Sequence, residues 1–309
     1  MEPDFSPFYV AKGQNYFAKC GVNIDFIDNS LGNTLADLSS GHADLAVYST
    51  AAQAALQGLP VSIVYLAEVT TADTLLTKHS ITSIDQLRST PGCRIGVSPH
   101  GSAGYGGAKQ IIQVANLGKC QQVILASTSL LIDAVTSGSI DAIVSTGAES
   151  TIAVSQGAHE LVSSSNPADI NKYFPVDSRT PAVLVFGQPA TVSSKSEAVV
   201  RMIRALNLAC TRIDGESDAA VAADLQASDP LFKPITNLTS AVTAARPQIC
   251  QGLTASTGAT PPGFISQDEW TKALNAYATW DITGFERQAP SIQYAQIINM
   301  TYYNQAFGK

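Results

Sequence analysis

The chain has few charged residues and no run of basic ones. Only 14% of its 309 residues are charged, and 25 Asp and Glu against 18 Lys and Arg give a formal net charge of −7. A nucleic-acid groove needs clustered lysine and arginine, so this balance argues against a nucleic-acid partner. The sequence also lacks an apolar run of roughly 20 residues, the length of a membrane span. Its most apolar windows, such as VSIVYLA and AVLVFG, have the length of strands.

The chain also lacks the residue patterns of common metal and catalytic sites. Its five cysteines form no CxxC pair and no Cys/His cluster with zinc spacing. Its four histidines are scattered over predicted turns, and a GxSxG nucleophile motif is absent. We therefore expect no metal, no cofactor and no catalytic residues.

The cysteines suggest a framework for an oxidising compartment. Cys93 is a candidate partner for Cys120, and Cys210 for Cys250, which leaves Cys20 spare. The alternative is five buried thiols in a cytosolic protein. The chain begins MEPDFSPFYVA, without the basic and apolar regions of a signal peptide. We expect an exported protein whose signal has been removed.

The order of apolar segments predicts an α/β fold. Strands that are apolar throughout alternate with helices up to about residue 187, which is typical of parallel sheets covered by helices. From residue 193 onward, apolar residues recur at three-to-four spacing and predict a helical tail. The length accommodates two cores.

Two stretches of the chain have similar sequences. They are SGHADLAVYSTA, residues 40–51, and SGSIDAIVSTGA, residues 137–148. In each, a helix ends at Ser-Gly, an Asp precedes a buried strand, and a Ser/Thr/Gly turn opens the next helix. Ligands of open α/β sheets bind at the carboxyl ends of the strands, where helix N-termini offer N–H donors. The repeat therefore predicts two similar lobes that share a cleft.

These repeats and two further stretches resemble a known family. The further stretches are SPFYVAKGQNYFAKCGVNIDFI and SITSIDQLRSTPGCRIGVSPHGSAG. Together they resemble the type II periplasmic solute-binding proteins of ABC importers, in the branch that binds alkanesulfonates, taurine, nitrate and thiamine-pyrimidine precursors. The resemblance covers about residues 6–187, and the tail in general character. The family has a strand before the SPFYVA segment, where this sequence has only residues 2–4, so we expect the first strand of lobe I to be absent or shortened.

The resemblance implies a two-lobed α/β fold of the periplasmic-binding-protein type II class. Each lobe is expected to be a mostly parallel sheet flanked by helices, with a helical C-terminal tail. Lobe I would comprise residues 1–78 and 179–309, and lobe II residues 79–178. Two crossing segments would form a hinge, and closure would bury the ligand.

The candidate site residues lie at strand ends, helix starts and crossings. Phe5 and Ser6 match the first pocket loop of the family. Glu149 is either a helix-start carboxylate or a ligand for an amino group, and Glu68, with Asp73, flanks the first crossing. The candidate ligand-binding residues are Phe5, Ser6, Tyr48, Ser49, Thr50, Glu68, Gly101, Ser102, Ala103, Thr146, Gly147, Glu149 and Arg179.

The predicted function is capture of a small organic anion, sulfonate- or carboxylate-like, outside the cytoplasmic membrane. Helix-start N–H groups would hold the anion, and Arg179 could pair with an acidic head group. The expected partners are the solute and the membrane subunits of an ABC transporter, and the protein is expected to be a periplasmic or extracellular monomer. Three alternatives stay open: an enzyme on the same fold, of thiamine-pyrimidine or menaquinone biosynthesis type, a sensory domain, and a pyrimidine-binding transport protein.

Overall fold

The computed structural model describes most of the chain. The described residues are 6–27, 31–48, 51–56, 59–69, 73–99, 103–145, 147–163, 166–173, 181–233, 235, 237–246, 249–250, 262–268, 270–271, 274 and 293–308.

Strands and helices alternate through the first two thirds of the chain, as the apolar segments predict. The strands are β1 (Leu45–Tyr48), β2 (Ser62–Val69), β3 (Thr74–Thr77), β4 (Arg94–Val97), β5 (Gln121–Ile124), β6 (Ala142–Ser145), β7 (His159–Ser163) and β8 (Pro181–Gly187). The helices are α1 (Ser6–Gly13), α2 (Tyr16–Lys19), α3 (Leu31–Ser40), α4 (Ala51–Leu56), α5 (Ile84–Ser89), α6 (Ala103–Val114), α7 (Thr128–Thr136), α8 (Gly147–Ser155), α9 (Pro167–Tyr173), α10 (Pro189–Ser194), α11 (Ser196–Gly215), α12 (Asp218–Ser228), α13 (Leu238–Ala245), α14 (Tyr294–Ile297) and α15 (Thr301–Ala306).

The first sheet, which we call the lobe I sheet, has the strand order β1-β8-β2. Strand β8 lies in the middle and runs antiparallel to both neighbours. Every residue of β2 is buried, so its continuous apolar pattern reflects burial on both faces. One hydrophobic cluster joins this sheet to α1, α11 and α12.

The second sheet, the lobe II sheet, has the strand order β5-β4-β6-β3-β7. Strands β5, β4 and β6 are parallel, whereas β3 runs antiparallel to β6 and β7. Neighbouring residues of β3 pack in two different hydrophobic clusters. Leu75 lies in one cluster with α6, and Leu76 lies in another with α7. This alternation is the period of two expected of a strand covered on both faces.

The two-lobed α/β class is confirmed, and the sheets are mixed, which refines the expectation of mostly parallel ones. The strands that follow the crossings, β3 and β8, run antiparallel to their neighbours. Each of them begins at the end of its sheet where the neighbouring strands terminate, so it runs in the opposite direction to them. Strand β3 is hydrogen-bonded in the lobe II sheet, so we propose a lobe boundary before Thr74 rather than after residue 78.

The helical tail keeps its predicted helices α11, α12 and α13. The apolar spacing in SIQYAQIINMTYYNQAF predicts one last helix. That helix is interrupted, because Ile298 forms a parallel bridge with Ile63 and Asn299 donates its N–H to the Ile63 carbonyl at 2.8 Å. The chain there caps the free edge of β2 and resumes as α15.

Residues 22–27 correct a second expectation. The alternation in VNIDFID predicts a strand, and Val22 and Ile24 are indeed half-buried. These residues are nevertheless in no strand, and they pair with none of the described strands. The alternating apolar pattern places one side of the segment against the core. A β-strand also needs a neighbouring strand with which it can form hydrogen bonds.

Both predicted disulfides are confirmed. Cys93 is bonded to Cys120 in lobe II, and Cys210 to Cys250 in the tail. Cys20 is a free, half-buried thiol. Within the described part of the chain, every helix is too short or too polar to cross a membrane.

Candidate ligand-binding cleft

The chain crosses between the two sheets at the ends of their strands, where β2 is followed by β3. In lobe II, the first residue of β3, Thr74, pairs with the last residues of β6 and β7, Ser145 and Ser163. In lobe I, the first residue of β8, Pro181, pairs with the last residue of β2, Val69. The carboxyl ends of strands from both lobes therefore border one crossing region, which we call the cleft edge.

Buried polar side chains concentrate at this cleft edge. Ten polar or charged residues are buried among the described ones, and seven of them lie at these strand ends or in the first turn of α8. The seven are Glu68, Asp73, Thr74, Ser145, Glu149, Ser150 and Ser163. Since burying polar groups is costly unless they are hydrogen-bonded, their concentration makes this region the candidate functional site.

The lobe II side of the cleft edge is built around the first turn of α8. Glu149 is 5% exposed and accepts a hydrogen bond from the Ser145 hydroxyl to its Oε2 at 2.8 Å. Ser145 in turn lies beside Thr74 across the β6–β3 ladder. The hydroxyl at the strand end thus orients the helix-start carboxylate.

Asp73 occupies a space that a glycine leaves open. It lies directly before β3 and is 5% exposed. A Cβ at Gly107, in the second turn of α6, would overlap its carboxylate. The glycine in the stretch AGYGGAK therefore lets the helix approach the buried carboxylate, which is the close contact that only glycine permits.

The lobe I side carries Glu68, which is 1% exposed in β2. Its backbone is held from two sides, by Val183 in β8 and by an isolated antiparallel bridge to Ile249 in the tail. Tyr48 ends β1 opposite Leu184 and is half-buried. Glu68 is thus fixed by the sheet and by the disulfide-linked tail together, because Ile249 directly precedes Cys250.

The predicted site residues divide into two groups. Tyr48, Glu68 and Glu149 lie at the cleft edge, Ala103 and Gly147 are the first residues of α6 and α8, and Ser6 is fully buried at the start of α1. Seven predicted site residues lie outside the described residues: Phe5, Ser49, Thr50, Gly101, Ser102, Thr146 and Arg179.

Sequence reasoning missed the serines and the glycine of the site. Ser145 and Ser163 end strands of the lobe II sheet, and Gly107 makes room for Asp73. The signal for the serines was available, because each is the last polar residue of an apolar strand. Nothing local marks Gly107, since its partner Asp73 is distant in sequence.

The chemistry of the cleft edge is hydrogen bonding and charge. The charged side chains that are buried among the described residues are Glu68, Asp73 and Glu149, all acidic. In the same described part, no group of three or more His, Cys, Asp or Glu is arranged to hold a metal ion. The arrangement is suited to hold a small molecule that presents donor groups to carboxylates.

Comparison with solved structures places this architecture among the type II periplasmic binding proteins. The structure is similar to a ligand-binding component of an ABC-type import system from Staphylococcus aureus, solved with zinc bound, with a TM-score of 0.70 at 10% identity over 99% of this chain and 96% of that one. It is also similar to the alkanesulfonate-binding protein SsuA from Xanthomonas axonopodis pv. citri, bound to MOPS (0.67, 16% identity, 96% of each chain). A third is the periplasmic nitrate-binding protein NrtA from Synechocystis PCC 6803 (0.68, 12% identity, 99% and 86%).

The sequence itself identifies the family. Residues 2–213, more than half of the chain, match the family described as NMT1/THI5 like. The chain therefore belongs to the NMT1/THI5-like family. None of the curated proteins compared with the chain matches it in sequence.

Proposed function

We propose that this protein is the extracytoplasmic solute-binding component of an ABC importer, which captures a small molecule between its two lobes. The observation that carries the proposal is the concentration of buried polar side chains at the cleft edge. The fold supports it, because the similar structures include ligand-binding components of import systems. The two disulfides suit an oxidising compartment outside the cytoplasm.

The charge of the described cleft edge favours a solute with a cationic or strongly donating group. Glu68, Asp73 and Glu149 are each at most 5% exposed, and the described residues include no buried lysine or arginine. In a low-dielectric cleft, each positive group or N–H donor that a solute brings to these carboxylates is stabilised more than in water. A protonated amine, an amidine or an aminopyrimidine has this chemistry.

A small organic anion, which the sequence predicts, is the second candidate. It is favoured by the helix starts at Ala103 and Gly147, each of which follows a strand whose carboxyl end lies at this edge of lobe II. N-terminal N–H groups and the helix dipole favour an anion there. Arg179, which could pair with an acidic head group, lies outside the described residues.

An enzyme on the same fold is the rival class. The proposed role requires reversible binding alone, without a covalent step. Recovery of the bound probe with unchanged mass after overnight incubation supports the binding role, whereas a new product in the mass spectrum would establish the enzyme.

A thermal-shift panel of charge-matched probes tests the proposal. Ethylammonium and ethanesulfonate form one pair, benzamidinium and benzoate another, and 4-aminopyrimidine samples the aromatic donors. A ligand at 100 times its dissociation constant adds about 2.7 kcal/mol to the free energy of unfolding. We expect the cations or the aminopyrimidine to raise the melting temperature more than their anionic partners. Stabilisation by the anions alone would select the second candidate.

A further inference from the structure

Helix α13 belongs to lobe I and yet packs against lobe II. Its neighbours are α12 in the tail and α8, the lobe II helix whose first turn carries Glu149. This contact joins the lobes apart from the two crossing segments of the chain. It is therefore placed to influence the angle between the lobes.

The anchoring of α13 on lobe I is extensive. Arg246, at its C-terminal end, donates from Nε to Asp218 Oδ1 at 2.6 Å and from Nη2 to the Glu216 carbonyl at 3.0 Å. Thr243 also donates to Asp218. Beyond the helix, Cys250 is bonded to Cys210 of α11. These links give α13 little freedom to move independently of lobe I.

One residue of α13 indicates which face meets lobe II. Leu238, Val242 and Ala245 belong to the lobe I core cluster, whereas Ala241, which is fully buried, belongs to none of the hydrophobic clusters of either lobe, and the helices that α13 packs against are α8 and α12. Ser240, the neighbour of Ala241, is exposed. Because the lobe I core does not account for the burial of Ala241, we assign it to the contact with α8.

We propose that α13 is an interlobe brace: a rigid lobe I helix, seated through Ala241 on α8, that sets the resting angle between the lobes. Interfaces between packed helices respond in discrete steps rather than continuously, so a larger side chain at this contact should select a different angle. A ligand that prefers one angle would then have its affinity altered from a distance. The brace would act in the same way on any ligand that binds between the lobes.

Distance measurement between two spin labels tests the brace without a ligand. Leu130 on α7 and Leu208 on α11 are 49% and 45% exposed, one in each lobe, and serve as label sites after L130C and L208C in a C20S background. Ala241→Trp should shift the mean distance between the labels. Ser240→Trp adds the same side chain to the exposed face of the same helix. It should leave the distance as it is in the labelled protein without a substitution in α13.

Ala241→Leu is the graded second variant. It should shift the distance in the same direction by a smaller amount, and it decides the question if circular dichroism shows that Ala241→Trp is not folded. An unchanged distance in a folded Ala241 variant would overturn the proposal, and so would an equal shift in Ser240→Trp.

Discussion

The two lobes are built differently from the same kinds of element. Lobe II is made from one stretch of chain, with its sheet between two hydrophobic clusters. Lobe I joins segments from both ends of the sequence in one cluster, because β8 and the tail return to the sheet that β1 and β2 begin. Local contacts favour rapid folding, and non-local ones carry a larger loop-closure cost. Lobe I therefore depends more on long-range links than lobe II.

Removal of each disulfide should have the largest effect and tests this difference between the lobes. Cys210–Cys250 closes 40 residues and Cys93–Cys120 closes 27, so each should contribute about 3–4 kcal/mol to the free energy of unfolding. Cys210→Ser with Cys250→Ser removes a link of the lobe I tail, and the matching pair at Cys93 and Cys120 removes a local one. Urea unfolding measures both losses.

The two double variants should lose similar amounts of unfolding free energy but differ in their effect on probe binding. Without the tail disulfide, Ile249 is less firmly held beside Glu68, so probe binding should weaken as well. The Cys93 and Cys120 pair should lower stability while leaving probe affinity near wild type. Equal weakening of binding in both double variants would contradict the difference between the lobes.

Gly107→Ala should have the next largest effect. Its Cβ would overlap the Asp73 carboxylate, so the Asp73 side chain, α6 or the start of β3 must shift. Such overpacking costs about 1–3 kcal/mol. Gly118→Ala is the matched control in the same lobe, since nothing lies within 4 Å of a Cβ there, and it should change stability by less than about 0.5 kcal/mol. Equal stabilities of the two variants in chemical denaturation would show that Asp73 is not packed as described.

Asp218→Asn should have a smaller effect, confined to the tail of lobe I. The hydrogen bond from Thr243, and then the Arg246 guanidinium, hold the pKa of Asp218 below its usual value. A lowered folded-state pKa stabilises the protein above the unfolded pKa of about 3.9, and this contribution is lost as the pH falls through the folded-state value. We expect a loss of about 0.5–1 kcal/mol at pH 7, because the side chain is partly exposed.

Denaturation of wild type and Asp218→Asn at pH 7 and below pH 4 checks the sign. The difference in unfolding free energy should shrink at the lower pH. Asp44→Asn removes an ion pair with Lys195 that is half exposed on both sides and should show almost no difference at pH 7. A difference at Asp218 that grows on acidification would contradict the assigned cause.

Much of the fold could be predicted because its signals are local. Glycine caps such as Gly41 and Gly138, both at φ +75°, end the helices before β1 and β6 as the repeat indicates. The break at Ile298 could not be foreseen, because it depends on the free edge of β2, far away in sequence. Contacts with a strand that is distant in sequence decide where such a helix is interrupted, and a single sequence does not show these contacts.

The site was predictable in position more than in chemistry. The repeated turns indicate the cleft edge, and Glu68 and Glu149 are found there. Their burial, on which the proposed preference for a cationic or donating solute rests, accompanies the contacts with Ser145 and the tail. Burial of a carboxylate is a property of several distant segments together, so its consequence for the ligand emerges only in three dimensions.

Calorimetric titration of wild type and Glu149→Gln tests most directly whether a solute is held by the buried carboxylates of the cleft. The titrant is whichever cation or aminopyrimidine stabilises the wild type most in the charge-matched panel. Asp141→Asn serves as the control, because Asp141 is paired with Lys78 at 2.6 Å at the opposite end of the lobe II sheet. We predict affinity at least about tenfold weaker for Glu149→Gln, equal to about 1.4 kcal/mol, and unchanged for Asp141→Asn. Equal affinities in all three proteins would contradict a cleft in which Glu149 holds the solute.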